Sequence, residues 1–187
     1  MNRKIFIKSS TLEILNRFEH YSAEEKLNQR PIVLKQLIHS VGRLPEPASW
    51  QTYQRWQIFA QIAGFDLSLA KLFESHFDAL SILHELGYEK EIDEETWAVW
   101  AADGGPAPLQ VKNGLCHGVK QWCSGAELIH KALISFKDQQ GKSQLCIIDL
   151  NPSSISIDSA HWQALGMQGT QTARVNFQET AVEFFFI

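Results

Sequence analysis

No apolar run in this 187-residue sequence approaches the roughly 18 residues that a membrane helix needs, so no membrane partner is expected. Positive charge is not in excess either. Seventeen Lys and Arg stand against 21 Asp and Glu, a formal net charge of -4. No basic tail gives a phosphate backbone an electrostatic footprint, and no nucleic-acid partner is expected. Cysteine is scarce, three residues without a C-x-x-C pair, which fits a reducing cytoplasm better than a disulfide framework. The start, Met1 to Lys8, has neither a long apolar stretch nor a small-residue cleavage site, so nothing marks secretion and a cytoplasmic location is expected. Internal repeats and low-complexity tracts are also missing. What remains is ordinary globular usage, 44% hydrophobic and 20% charged, too apolar for wholesale disorder.

Charge divides the chain. Residues 1–95 carry 11 Lys/Arg and 14 Asp/Glu, whereas residues 96–187 carry only 6 and 7, as expected if the first part consists of amphipathic helices with solvated faces. Ser10-Thr-Leu-Glu13 and Ser22-Ala-Glu-Glu25 read as capping boxes at two helix starts. Pro31 lacks an amide, so it is expected to interrupt the second helix or open a new one. The segment Ile32–Val41 stops at Gly42, Pro45 and Pro47 form a loop, and a further helix is expected from Ser49 to about Ala63. Asp66 is placed to cap the clearest helix, in which Leu69, Phe73, Phe77, Leu80, Leu83 and Leu86 recur at three- and four-residue spacing before Gly87.

After the acidic connector Glu89–Glu95, read as a solvated linker, the period changes. Short strands are expected at Trp97–Ala102, Val119–Ser124, Ala132–Phe136, Gln144–Leu150, Ser154–Asp158, Ala173–Phe177 and Val182–Ile187. Turn signals separate them: Asp103-Gly-Gly-Pro, Lys112-Asn-Gly, Asp138-Gln-Gln-Gly, Asn151-Pro-Ser-Ser and Gly166-Met-Gln-Gly. The fold class expected is α+β, an N-terminal all-helical domain over residues 1–95 followed by an antiparallel β-sandwich or barrel over residues 96–187.

Few side chains suggest a metal. Cys116, His117 and Cys123 lack the paired short spacings of a zinc site, and His76 and His84 lie about two helical turns apart, too far to share an ion. Gly166 and Gly169 are expected to serve backbone geometry. The terminus Phe184-Phe-Phe-Ile187 is different. Strand residues alternate sides, so burying three consecutive phenylalanines demands cover on both faces, from the helical domain, a partner chain or another copy in a homo-oligomer.

Taken together, Gly118-Val-Lys120-Gln-Trp122-Cys-Ser124-Gly-Ala, Leu165-Gly-Met-Gln-Gly-Thr170 leading to Phe177, and Asp66-Leu-Ser-Leu-Ala-Lys-Leu-Phe-Glu-Ser-His resemble the acyl-CoA dehydrogenase family over roughly residues 10–183. The resemblance implies a FAD flavoprotein that removes hydrogens from the α and β carbons of an acyl-CoA thioester. It implies an acyl groove between the helical and β halves. Trp122 would pack against the isoalloxazine ring and Ser124 would offer its hydroxyl to the flavin edge. Trp100, Ala101 and Ala102 resemble the strand whose backbone amides bond the flavin. On residue type alone, Trp122 reads first as a core residue of a β domain, and Ser124-Gly125 equally as a turn.

Departures from the family pattern are specific. Ala102 stands where the family usually has Thr, removing a side-chain hydrogen bond worth about 0.5–1.5 kcal/mol. Asp103 replaces Glu, and Gly104-Gly-Pro-Ala-Pro108 replaces an Ala-Gly-Ser-Asp loop implied to contact phosphate or CoA. The family's C-terminal four-helix domain, with its catalytic glutamate, has no counterpart in residues 1–187, and no catalytic residue is assigned. Loss of a positioned base costs on the order of 10²–10⁴ in rate, so this chain alone is expected to turn over little. The alternative expectation is a non-catalytic subunit or regulator of the same fold that binds acyl-CoA or a nucleotide.

Overall fold

The computed structural model describes residues 7–88, 95–104, 107–151 and 153–186; most of the acidic connector, and Ile187, lie outside them. Four helices come first: α1 Ser9–Glu19, α2 Ala23–Val41, α3 Thr52–Ala63 and α4 Leu67–Glu85. Among the described residues, eight strands follow: β1 Trp97–Trp100, β2 Gln110–Lys112, β3 Leu115–Cys123, β4 Lys131–Lys137, β5 Ser143–Asp149, β6 Ile155–Asp158, β7 Ala173–Ala181 and β8 Phe184–Phe186.

Local chemistry explains most helix ends, and also where expectation fails. The Ser22–Glu25 box forms in both directions: the Ser22 hydroxyl accepts from the Glu25 amide at 3.2 Å, and the Ser22 amide donates to the Glu25 carboxylate at 2.7 Å. The Ser10–Glu13 box does not form, because α1 begins two residues earlier, with Lys8 rather than Ser10 at the N-cap position, and both residues already lie inside it. Pro31 neither interrupts nor starts a helix. It sits within α2, leaving the Leu27 carbonyl without its helical donor on an exposed turn, where water can replace it. At α3, the Ser49 carbonyl instead takes the Thr52 amide and hydroxyl, delaying the helix to Thr52. The Asp66 cap is present, its carboxylate accepting from the Leu69 amide at 2.7 Å. The same oxygen accepts from Arg30 at 2.7 Å, and the Arg30 guanidinium, 4% exposed, stacks over Phe18.

The strands form two four-stranded sheets, one in the order β1-β4-β5-β8 and the other β2-β3-β7-β6. They sandwich a core built on Trp100, Cys116, Cys123, Ile134, Cys146, Val175 and Phe177. The antiparallel expectation needs one correction: β1 runs parallel to β4, from Trp97 opposite Lys131 to Trp100 opposite Ile134. Strand β2 is a further departure. Asn113 and Gly114, both at positive φ, form a two-residue turn that folds β2 back on β3. β8 pairs backbone to backbone with Leu145–Ile147 at a sheet edge; the Phe184–Phe186 side chains and Ile187, on which the expected cover was argued, lie outside the described residues. Gly166 faces open space at an ordinary φ, so its expected backbone role is not met, whereas Gly169 lies directly against the Arg30 guanidinium.

Helices and sheets meet at α4. Ala79 and Leu83 pack with Trp97, Leu133 and Ile147 in a cluster shared by both halves. Removing the Asp66 carboxylate strips a helix cap and leaves Arg30 buried without its counter-charge. Asp66→Ala is therefore expected to cost about 3–5 kcal/mol in urea unfolding, against about 1 kcal/mol for Ser22→Ala at the exposed cap.

Candidate functional site

β1 is an edge strand, and α4 supplies acceptors for its outward amides. The Trp97 amide donates to His76 Nδ1 at 3.2 Å and the Val99 amide to Ser75 Oγ at 3.0 Å. This docking fixes the point at which the chain leaves the sheet after Trp100, at the start of the segment Ala101–Gly104. The expected strand to Ala102 stops short at Trp100. Trp100 itself turns inward, 3% exposed, its indole N–H donating to the Ser124 carbonyl at 3.1 Å. Ala101 and Ala102 are exposed.

The exit segment is pinned by Lys120 and Ser135. The Ser135 hydroxyl donates to the Ala101 carbonyl at 2.8 Å. Lys120, 3% exposed, donates to the Ser135 carbonyl at 2.7 Å, to its hydroxyl at 3.1 Å and to the Asp103 carboxylate at 3.2 Å. All three ammonium protons are thereby used.

Two residues beyond Lys120 the ladder breaks. Lys120 faces Val175 and Cys123 faces Ala173, so β3 holds one residue more than β7 over this step, a β-bulge. Within the bulge Trp122 takes φ +57, a left-handed backbone uncommon for a bulky side chain. The bulge turns the indole outward, 53% exposed, over Gly104; a Cβ at Gly104 would lie 3.0 Å from Cη2 and Cζ3 of the ring. The core-residue alternative for Trp122 is thus excluded.

Ser124 sits beside it at the end of a hydroxyl chain. Thr170 Oγ1 donates to the Met167 carbonyl at 2.8 Å, which leaves Thr170 to accept from Thr172 at 2.8 Å and Thr172 to accept from Ser124 at 3.1 Å. The Ser124 proton therefore points into the protein. The expected hydroxyl donor is committed, and what it presents outward is a lone pair. Sequence reading missed Ser135 and Thr172, though a hydroxyl every second residue at Thr170 and Thr172, just before β7, was a visible signal.

A cavity of about 780 Å³ opens beside this segment, between α4 and the end of β1, with Ser75, Asp78, Ile82, Val99 and Ala101 in its walls. Asp78 is held by Arg55 at 2.7 Å. The three cysteines are all buried and unpaired; burial pushes the Cys123 and Cys146 thiols up to about 12 and raises Cys116 as well, so none is a ready nucleophile. Among the described residues no three His, Cys, Asp or Glu gather as a metal would need, and no helix is long and apolar enough to cross a membrane.

No family sequence model and no curated protein sequence matches this chain. Solved structures do. TdsC from Paenibacillus sp. A11-2, in its complex with FMN and indole, superposes with a TM-score of 0.67 at 19% identity over 92% of this chain and 50% of its own. Methanesulfinate monooxygenase MsuC from Pseudomonas fluorescens gives 0.61 at 20% identity over 92% and 48%. FkbI, described for biosynthesis of the methoxymalonyl extender unit of Fk520, gives 0.71 at 12% identity over 93% and 57%. The fold is acyl-CoA dehydrogenase-like. The chain spans about half the length of these structures.

Within this acyl-CoA dehydrogenase-like fold, the α4–β1 joint makes stability depend on pH. Burial lowers the His76 pKa from 6.5 to about 4, so the folded protein holds the ring neutral where the unfolded chain protonates it. Above pH about 6.5 neither state is protonated and no penalty arises. Between about 6.5 and 4 the unfolded state binds the extra proton, so stability is lost on acidification, by up to about 3 kcal/mol. Urea midpoints between these pH values should fall more steeply for the native chain than for His76→Gln, which cannot titrate.

Proposed function

We propose that this chain forms the flavin-facing part of a flavin-dependent oxidoreductase acting on an acyl-CoA thioester. The observation that carries the reading is the exposed Trp122 indole, held at positive φ in a bulge over Gly104. The bulge carries buried Cys123 into the core and leaves the indole outward, and the flat, fixed ring fits a planar heteroaromatic group. The carbonyl side of the neighbouring exit segment is already bonded to Ser135, which holds Ala101 and Ala102 at the surface beside that ring.

A flavin, when bound, supplies hydride acceptance from the substrate's β carbon. Trp122 would cover one ring face and exclude water from it, while the Ser124 lone pair would be available to a flavin N–H donor. Gly104 sets the height of the indole. Lys120 fixes the exit segment through Asp103 and Ser135 and places a buried positive charge behind it. The 780 Å³ cavity at Ala101 supplies a wall of α4 for the acyl group. No carboxylate in residues 1–187 is assigned as the base.

FAD is the form that the resemblance implies; TdsC holds FMN, so both are tested. Titration of either flavin should quench its fluorescence, and Trp122→Ala should weaken binding about tenfold and abolish the quench, with Trp122→Phe restoring much of it. Failure to take up either flavin at about 100 µM, equivalent to roughly 5.5 kcal/mol, would refute the proposal. Acyl-CoA binding without uptake of either flavin would instead select the non-catalytic subunit.

A further inference from the structure

A second cavity, of about 840 Å³, lies on the other side of α4, between that helix, the end of α2 and the start of β1. Ligand sites are typically apolar clefts of about this size with a few fixed polar groups. Its apolar wall is Ile38, Leu44, Phe77 and Leu80. The fixed polar group is His76, 3% exposed. Nδ1 accepts the Trp97 amide, so a neutral ring must carry its proton on Nε2. No described residue takes a hydrogen bond from Nε2, and the ring lines the cavity, so its wall carries an N–H donor without an acceptor among the described residues.

Lys35, exposed on α2, lies at the mouth and makes no ion pair among the described residues; its Nζ has the His130 ring nitrogen, at 3.4 Å. Of the described carboxylates there, Glu46 is held by Arg43 at 3.3 Å and Glu95 by Lys131 at 3.4 Å, a lysine that Glu183 also binds at 2.9 Å. From depth to mouth the sequence of groups is therefore a neutral donor, an apolar sleeve and a lysine without an ion pair among the described residues.

We infer that this cavity binds a small apolar monocarboxylate carrying a carbonyl oxygen, with the carbonyl at His76 Nε2, the body against Phe77 and Leu80, and the carboxylate at Lys35. The site is separate from Trp122 and does not depend on a flavin.

Calorimetric titration of the whole chain with 4-oxo-4-phenylbutyrate, 4-phenylbutyrate and the methyl ester of the first probes each contact in turn. Saturable binding of the keto acid is expected, several-fold weaker without the ketone or the charge, and shifting the His76 ring ¹⁵N resonances. Lys35→Glu, an exposed change that spares the core, should weaken it about threefold to tenfold. Leu80→Trp should abolish it by filling the sleeve, and Trp122→Ala should leave it intact. Absence of saturable binding at millimolar keto acid would overturn the assignment. So would an affinity that Lys35→Glu leaves unchanged, or one that Trp122→Ala removes.

Discussion

Strand β1 lies at the rim of its sheet, and its outward amides find acceptors only on the helices. In a parallel pairing with β4, the amides of Trp97 and Val99 point away from the sheet. Left bare, such an edge invites pairing with another chain. Here Ser75 and His76, adjacent on α4, accept both. That choice orders much else. It forces a titratable ring into a site where charge is costly, presses Ala79 and Leu83 onto Trp97, and sets the direction in which the chain leaves the sheet toward Gly104. Space is left on both sides of α4, one cavity between it and the end of α2 and the other between it and residues 46–48.

What could be read from the sequence follows from how local each determinant is. The Ser22–Glu25 box and the Asp66 cap are short-range and appear as read, and the period of α4 survives because Leu69, Phe73, Phe77 and Leu83 face the core. Ser10–Glu13 has the same letters as Ser22–Glu25 but fails, because Thr11 is drawn to Ser40 across 29 residues and the helix starts earlier. Pro31 misleads for a related reason: α2 packs Val33, Leu34 and Leu37 into the core, and that burial outweighs one lost hydrogen bond. The parallel β1–β4 pair was invisible because strand spacing carries no direction. The short β2 was within reach, since Asn113-Gly114 as a two-residue turn requires a strand on each side.

The candidate site divides along the same line. Trp122 and Ser124 could be named from their motif, and Lys120 with them, but their states could not. That the indole faces outward rests on a one-residue mismatch between β3 and β7. That the Ser124 proton points inward rests on a chain of hydroxyls ending at the Met167 carbonyl 43 positions away, a direction fixed only because a carbonyl cannot donate. Lys120, an unremarkable letter between Val119 and Gln121, is a buried cation tying β3 to β4 and to the exit segment.

The energetic position of Trp122 argues that the exposed ring is there for a purpose. An indole of roughly 250 Å² left about half exposed forgoes about 3 kcal/mol of burial, and a left-handed backbone at a bulky residue adds about 1–3 kcal/mol. Without the extra residue in β3, alternation from buried Lys120 would place position 122 on the inner face in place of Cys123. Instead the surroundings enforce the costly state. Gly104 leaves just enough room beneath the ring, and Lys120, Ser135 and Asp103 hold Gly104's segment in place. A folded chain of ordinary stability, about 5–15 kcal/mol, gives up a sizeable fraction of it at one residue. On the proposed reading, stacking a planar ligand against the free face would return the lost burial, so the strain would be offset in the bound state.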